Sequence, residues 1–450
     1  KTDPNPQLDI FTAPSMQLGS RASKKYSDPN SWHNQFYSLV TTKIDEEIFK
    51  PLFPEGKKSG RPNASIRILV AMSVLKEGFG CSDEDLFEKC EFDLLTRKAL
   101  GMELLTDVTP SIDTYYLFRR RICEYQERTG FDLMQLCFEQ LAGKHVHLLK
   151  ISGKCVRMDS KLIGSNIARQ SRYELIHTTL VKFLKTCTLT HLSPEQEERA
   201  KEYLKEDSSK TVYRSDSDTL QSNLARIGNF IMEMLAAFPA TSPAHDLLQR
   251  LFDEQYVVMD GKAVLRDKKE VKADSLQNPN DPDATYRAKN DQKVQGYVTN
   301  ITETVEEGKP NIITSVQVET AVFADCHFLQ EAVENSERVT DSTIEDLYAD
   351  GAYQSPDNRE FAKNHNAMQL KTGKMQGGCR WELIPHDEDG LTVREIATGN
   401  TYEAVKAVTK QGSRKRWRIP WNNKTGWRYF EDKDIKAYQL RKQIESLPLE

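Results

Sequence analysis

The chain has 450 residues, a formal net charge of −5, and 38% hydrophobic against 29% charged residues, which excludes a disordered chain and predicts two or three globular units. No run approaches the roughly 20 apolar residues of a membrane helix. None of the eight cysteines forms a C-x-x-C pair and the nine histidines show no ligand spacing, which argues against a zinc site or disulfide framework and for a reducing cytoplasm.

Residues 1–31, rich in Pro, Ser and Asn, predict an extended arm without the apolar centre of a secretory leader. The first residue is Lys1, not Met, as in a fragment or a processed form. From 32 to 127 the pattern is helical. "NASIRILVAMSVLKEGFG" predicts a helix capped at Asn63 and stopped by Gly78 and Gly80. "SDEDLFEKCEFD" opens on Ser82 with Asp85 three positions on, a capping-box start, and "TPSIDTYYLFRRRICEY" repeats a cap and carries Arg119, Arg120 and Arg121. Short helices with tight turns fit a small DNA-binding domain and fit many other helical bundles equally, and an acidic total charge can hide a local basic face. The three arginines either contact phosphate or solvate a helix.

A helix at about 130–143 precedes a strand at 154–162, where Cys155, Val156 and Met158 lead into Asp159. Residues 166–252 read as a helical insertion, with Leu224, Ile227, Phe230, Ile231, Met234 and Leu235 on one face and the polar stretch "KEDSSKTVYRSDSDT" as an interruption. Strands follow at 294–303 and 311–321, joined through a Gly-Lys-Pro turn, then a helix at 328–337. In "DLYADGAYQSPDNREF" a second apolar strand ends in an acid, Asp350, and "AMQLKTG" adds one more short strand. Residues 376–430 hold Trp381, Trp417, Trp421 and Trp427 and predict a β-rich insertion, and 431–450 a closing helix.

With the helical insertion set aside, residues 128–375 have the element order of a ribonuclease-H-like α/β core with a mixed sheet, preceded by an all-α domain. In that fold the first and fourth strands are neighbours, so Asp159 and Asp350, 191 positions apart (350 − 159), share one site. Two close carboxylates repel unless a cation neutralises them, and Mg²⁺ or Mn²⁺ takes such oxygen ligands. A pair of such ions activates an attacking oxygen and stabilises a leaving one on phosphorus.

These residues resemble a family, the DDE transposases of bacterial insertion sequences. "RPNASIRILVAM" and "SIDTYYLFRRRI" are similar to the helical front domain of those enzymes. "MDSKLIGSNIA" and "DLYADGAYQSPDNREF" are similar to their first and second acid motifs, and "DPDATYRAK…QGYVTNI" to the segment before the second strand pair. The resemblance implies metal-dependent cleavage and strand transfer at terminal inverted repeats by a homo-oligomer on double-stranded DNA. It implies a third acid in a Tyr-x2-Arg-x3-Glu arrangement, which Tyr438, Arg441 and Glu445 match. Positions 438, 441 and 445 share a helix face, so Arg441 contacts phosphate beside Glu445. The alternative is a DNA-binding remnant lacking its third acid, since the chain stops five residues after Glu445; a plain nuclease would cleave without joining.

Plainer roles stand beside these. Asp159 and Asp350 are also suited to capping or turn positions, Asp281 and Asp283 to turns, Asp260 to a Met-Asp-Gly-Lys turn, and Asp325 with His327 to a helix cap. In "KQGSRKRWRIPWNNKTGWRY", Lys410, Arg414, Lys415, Arg416 and Arg418 among tryptophans either meet phosphates and bases or form a solvated strand face over a small core.

Overall fold

The computed structural model describes residues 17–53, 64–239, 242–289, 292–372, 381–386, 390–396, 398–407, 415–421 and 426–445. It is mixed α/β, with an N-terminal helical region and several sheets. The chain divides into two units. One comprises Lys1–Val156, Glu303–Ser315 and Glu334–Glu345, the other Arg157–Thr302, Val316–Val333 and Asp346–Glu450.

The first unit contains α1 (Ser20–Tyr26), α2 (Trp32–Leu39), α3 (Ile66–Phe79), α4 (Asp83–Phe92), α5 (Leu94–Ala99), α6 (Ile112–Thr129) and α7 (Leu133–Leu148). The arm expected to be extended is thus helical from Ser20, where Ser-Arg-Ala-Ser-Lys-Lys offers good helix formers and Tyr26 a buried anchor. The cap expected at Asn63 lies outside the described residues, and Ser65 caps α3 by accepting from Ile68 N at 3.4 Å. At the other end Gly80 takes the left-handed conformation, φ 60°, that a side chain resists. The Ser82–Asp85 capping box forms as its spacing predicts. Tyr115, Phe118 and Ile122 turn one face of α6 into a core with Phe49, Met72 and Leu86.

The second unit begins within β1 (Cys155–Gly164) and continues through five helices, α8 (Arg172–Leu184), α9 (Pro194–Lys205), α10 (Ser208–Arg214), α11 (Ser217–Ala237) and α12 (Pro243–Gln255). The polar interruption is itself the short helix α10, because Asp207 caps it by accepting from Lys210 N. Ile176, Leu180, Phe230, Ile231, Met234 and Leu251 form this insertion's core. A hairpin unforeseen in the sequence follows, β2 (Tyr256–Met259) against β3 (Lys262–Leu265). Asp260 and Gly261 form its turn with φ of 49° and 74°, the mirror-image geometry that suits an Asp-Gly pair.

The remaining strands of the main sheet are β4 (Thr285–Lys289), β5 (Gln292–Thr304), β6 (Ile313–Thr320), β7 (Asp346–Ala349) and β8 (Gln369–Thr372), with α13 (Leu329–Thr340) between β6 and β7 and α14 (Pro356–Asn364) between β7 and β8. The sheet runs β4–β5–β1–β7–β8, with β6 also on β5. A second sheet has the order β13–β12–β11–β10–β9, made of β9 (Trp381–His386), β10 (Gly390–Glu395), β11 (Thr401–Lys406), β12 (Arg416–Trp421) and β13 (Gly426–Glu431). Trp381, Trp417, Ile419 and Phe430 fill its inner face together with Ile435 and Tyr438 of the last helix, α15 (Asp432–Glu445).

Candidate active site

β1 and β7 are sheet neighbours, and at their starts Glu345 N donates to Lys154 O at 2.8 Å. Because that bond joins the two N-terminal ends, the strands run in the same direction. Asp159 lies five residues beyond Lys154 and Asp350 five beyond Glu345, so strands rising at ~3.3 Å per residue carry both acids to a similar height. Asp159 Oδ1 accepts from Ser160 N at 2.8 Å. Asp350 Oδ1 accepts from Ala352 N at 2.7 Å, capping the 3-10 turn Gly351–Tyr353. The turn-capping role open to Asp350 is therefore real and occupies one of its carboxylate oxygens.

The turn buries Tyr353 completely, at 0% exposure. Its hydroxyl donates to Asn300 Oδ1 at 2.6 Å. Burial pushes the phenol's pKa up, and the carboxylates of Asp159, Asp325 and Asp350 push it further, partly offset by the nearby Ser160 side chain. All three acids thus act on one buried oxygen.

Asn300 is fixed in turn, its Nδ2 donating to Gln317 Oε1 at 2.9 Å, and Gln317 Nε2 donates to Glu331 Oε2 at 3.0 Å. The polar residues Thr299, Asn300, Thr302 and Thr304 of β5 are all buried, which is what a strand serving a polar site requires. Asp325, 5% exposed, pairs with Arg287 at 3.4 Å. Asn358 Nδ2 donates to Cys326 O at 2.7 Å and Tyr353 O at 2.8 Å, tying the turn at Asp325–Phe328 to the turn after Asp350.

Just beyond Asp159, Ser165 N donates to Gln295 O at 2.9 Å. A side chain at Gly296 would strike Ile163 O and come within 2.5 Å of Ser165 N. Asp281 receives hydrogen bonds from Ser165 Oγ and, at 2.5 Å, from Tyr297 Oη. It therefore anchors the end of β1 as well as shaping a turn. None of Tyr353, Asn300, Ser160, Asn358 or Arg287 stood out in the sequence. The available signals were an aromatic three residues after Asp350 and a run of polar residues on a central strand.

Among the described residues, no group of three His, Cys, Asp or Glu side chains is arranged to hold a metal ion. The carboxylates of Asp159 and Asp350 are hard oxygen donors, the chemical type that Mg²⁺ takes while keeping several waters. The helix of Glu445 packs on β7 and β8 as well as on β9 and β13, but the side chains of Glu445 and Arg441 lie outside the described residues. Tyr438 is buried and donates to Glu382 at 3.0 Å.

Of the basic candidates, Arg119 pairs with Asp83 at 3.8 Å and lies over Tyr115, Arg120 pairs with Glu124 at 3.6 Å, and Arg121 lies over Phe53. Arg414 falls outside the described residues and Lys415 is exposed. Arg416 stacks on Tyr429 at 4.1 Å and Arg418 on Trp427 at 4.2 Å, on the outer face of the second sheet. Among the described residues no helix is long and apolar enough to cross a membrane.

Residues 25–121, from the end of α1 into α6, match the family model described as Transposase domain (DUF772). That match supports a transposase role, and with it an enzyme of the general nuclease or transferase type that binds DNA. No curated protein and no solved structure matches the chain.

Proposed function

We propose that the chain is a DNA transposase whose second unit is a ribonuclease-H-like core, cleaving and joining strands at the ends of an insertion sequence. The observation that carries this reading is the adjacency of β1 and β7, with Asp159 midway along β1 and Asp350 directly after β7, within the sheet path β6–β5–β1–β7–β8. That path is the strand order expected of such a core once the insertion is removed. The transposase-domain match at residues 25–121 independently supports the transposase role alone.

In this reading Asp159 and Asp350 hold Mg²⁺ or Mn²⁺, with Glu445 as the third ligand. When bound, the metal activates an attacking oxygen and stabilises the leaving oxygen on phosphorus. The protein's task is to hold two carboxylates aimed at one point. The strand pairing sets their spacing, Ala352 N and Ser160 N hold one oxygen of each, and Arg287 supplies compensating positive charge through Asp325. The N-terminal helical domain and the Arg416–Tyr429 and Arg418–Trp427 stacks serve DNA binding.

The test is cleavage of DNA carrying the element's terminal inverted repeats, with Mg²⁺ or Mn²⁺. Asp159→Asn and Asp350→Asn are expected to lose at least on the order of 100-fold in cleavage and to keep DNA binding. Binding by the unsubstituted chain without any metal-dependent cleavage would instead establish the remnant, and cleavage without joining the plain nuclease.

A further inference from the structure

We propose that the β2–β3 hairpin of the helical insertion is a duplex-DNA contact, its lysines meeting phosphates while Val258 and Met259 wedge into the minor groove. The inference rests on the DNA-binding reading above and adds a surface apart from the second sheet.

The hairpin is seated firmly from beneath. Tyr256 is buried, and its hydroxyl donates to Leu224 O of α11 at 2.8 Å. Ala263 is buried too, and its N–H donates to Asn229 Oδ1 at 3.0 Å. Gly228 lets the Tyr256 ring lie against α11, since a Cβ there would come within 2.4 Å of that ring. At the base, Arg266 N donates to Gln255 O at 2.8 Å and Arg266 Nε to Asp253 O at 3.1 Å. A two-stranded ribbon is marginal on its own, so this seating is what fixes it.

Two kinds of residue are turned outward. Directly opposed residues share a face, so the pairs Val257↔Val264 and Met259↔Lys262 lie on the face away from Tyr256 and Ala263. Val264 is exposed, and Val258 and Met259, the last two residues before the turn, are 54% and 57% exposed. The surrounding charge is positive although the whole chain is acidic. From Asp260 to Lys272, five cations (Lys262, Arg266, Lys268, Lys269 and Lys272) stand against three acids (Asp260, Asp267 and Glu270). All four lysines are exposed. Asp267 Oδ1 accepts from Lys269 N at 2.9 Å and Glu270 Oε2 from Asp267 N at 3.3 Å, so both acids serve the turn that follows β3. Lys262 lies at the tip and Lys268 and Lys269 just past the base, so cations bracket the apolar face.

These features together select duplex DNA over a second copy of the chain. A stable protein interface needs about 800 Å² on each partner, more than a few part-exposed side chains offer, and a two-fold copy would set lysines against lysines. DNA answers both features. Its phosphates take the lysines, and an apolar side chain such as Met entering the minor groove unstacks a base step and bends the duplex.

The experiment is binding of the whole chain to a duplex from the element's terminus, end-labelled with a donor and an acceptor dye, across a salt series. Sedimentation of the free chain and unfolding midpoints are measured in parallel. The unsubstituted chain is expected to bend the duplex by on the order of 20–90°. Val258→Ser combined with Met259→Ser is expected to reduce that bend and leave the salt dependence unchanged. Lys262→Gln combined with Lys268→Gln is expected to lower the slope of log affinity against log salt by about 0.9 for each lysine on a phosphate. Neither change should move the unfolding midpoint. If both double variants bind and bend the duplex as the unsubstituted chain does, the hairpin is no DNA contact and the DNA-binding reading stands. If the Val258→Ser, Met259→Ser variant sediments as a smaller species and still bends DNA fully, the hairpin meets a second copy and the proposal is wrong. If the unsubstituted chain binds no duplex, the DNA-binding reading falls and this inference with it.

Discussion

Arg287 Nη1 lies 3.4 Å from Asp325 Oδ1 and also donates to Ala321 O at 3.3 Å and Phe323 O at 3.0 Å. The pair sits where two further carboxylates, Asp159 and Asp350, act on the same phenol. Removing one partner of a buried pair strands the other charge. Arg287→Leu is expected to destabilise the fold by roughly 3 kcal/mol, read by denaturant unfolding. Arg287→Leu combined with Asp325→Leu is expected to recover most of the loss. A double variant no better than the single would show that the pairing is not what Arg287 contributes.

Gly296 stands where β5 passes the end of β1, and any side chain there would collide with the backbone at Ile163 and Ser165. The clash involves main-chain atoms that cannot swing aside. Gly296→Ala is therefore expected to cost on the order of 3 kcal/mol and to weaken cleavage together with stability. Gly78, inside α3, where an added Cβ meets nothing within 4 Å, is the control, and Gly78→Ala should not lower the unfolding midpoint.

The outer face of the second sheet makes a separate prediction. Trp427 is 44% exposed and stacks with Arg418, so its removal takes little from the core. Trp427→Ala is expected to lower affinity for single-stranded DNA by about 1–3 kcal/mol without shifting the unfolding midpoint. Arg418→Gln should reduce the dependence of log affinity on log salt by about 0.9 if that arginine meets a phosphate of duplex DNA. An unchanged affinity in both variants would reduce this face to a solvated surface.

His177 offers a pH test within the helical insertion. Burial holds its pKa below the usual 6.5, opposed by Glu206 at 3.6 Å and by the Tyr203 carbonyl. The unfolded imidazole therefore takes up a proton before the folded one. Its contribution is complete above the unfolded value of about 6.5 and is lost as pH falls from there towards the folded value. Unfolding midpoints measured between pH 7.5 and 5.5 should fall for the unsubstituted chain and less steeply for His177→Gln. Parallel curves would assign the decline to other groups. The lowered carboxylates Glu174, Asp207, Asp216 and Glu306 lose their contributions only at lower pH, as it falls through their folded values.

What the sequence revealed follows the range of the forces involved. Local devices were legible: the Ser82–Asp85 capping box, the Asp260–Gly261 turn and the apolar face of α11 each declare themselves within a few residues. Asp159 was legible because a carboxylate breaks an apolar strand, and Asp350 for the same reason. Tyr353 and Asn300 were not, since a lone aromatic reads as core and an Asn on a strand reads as solvent-facing until its partner is known. Arg119 and Arg121 looked like a free basic face because Asp83 and Phe53, which engage them, are far away in the chain. The β2–β3 hairpin, with two four-residue strands, was too short to announce a period.

The separation of the two acids has a consequence for the protein's life on the ribosome. At ~5–20 residues per second, Asp350 is polymerised roughly 10–40 s after Asp159, with the whole helical insertion made in between. Throughout that interval the nascent chain has its front helices and Asp159 but lacks β7, the strand that leads to Asp350. On the reading proposed above, the acid pair is incomplete until Asp350 has been added. A product interrupted anywhere before that point would keep the N-terminal helical domain and lack the second acid of the pair.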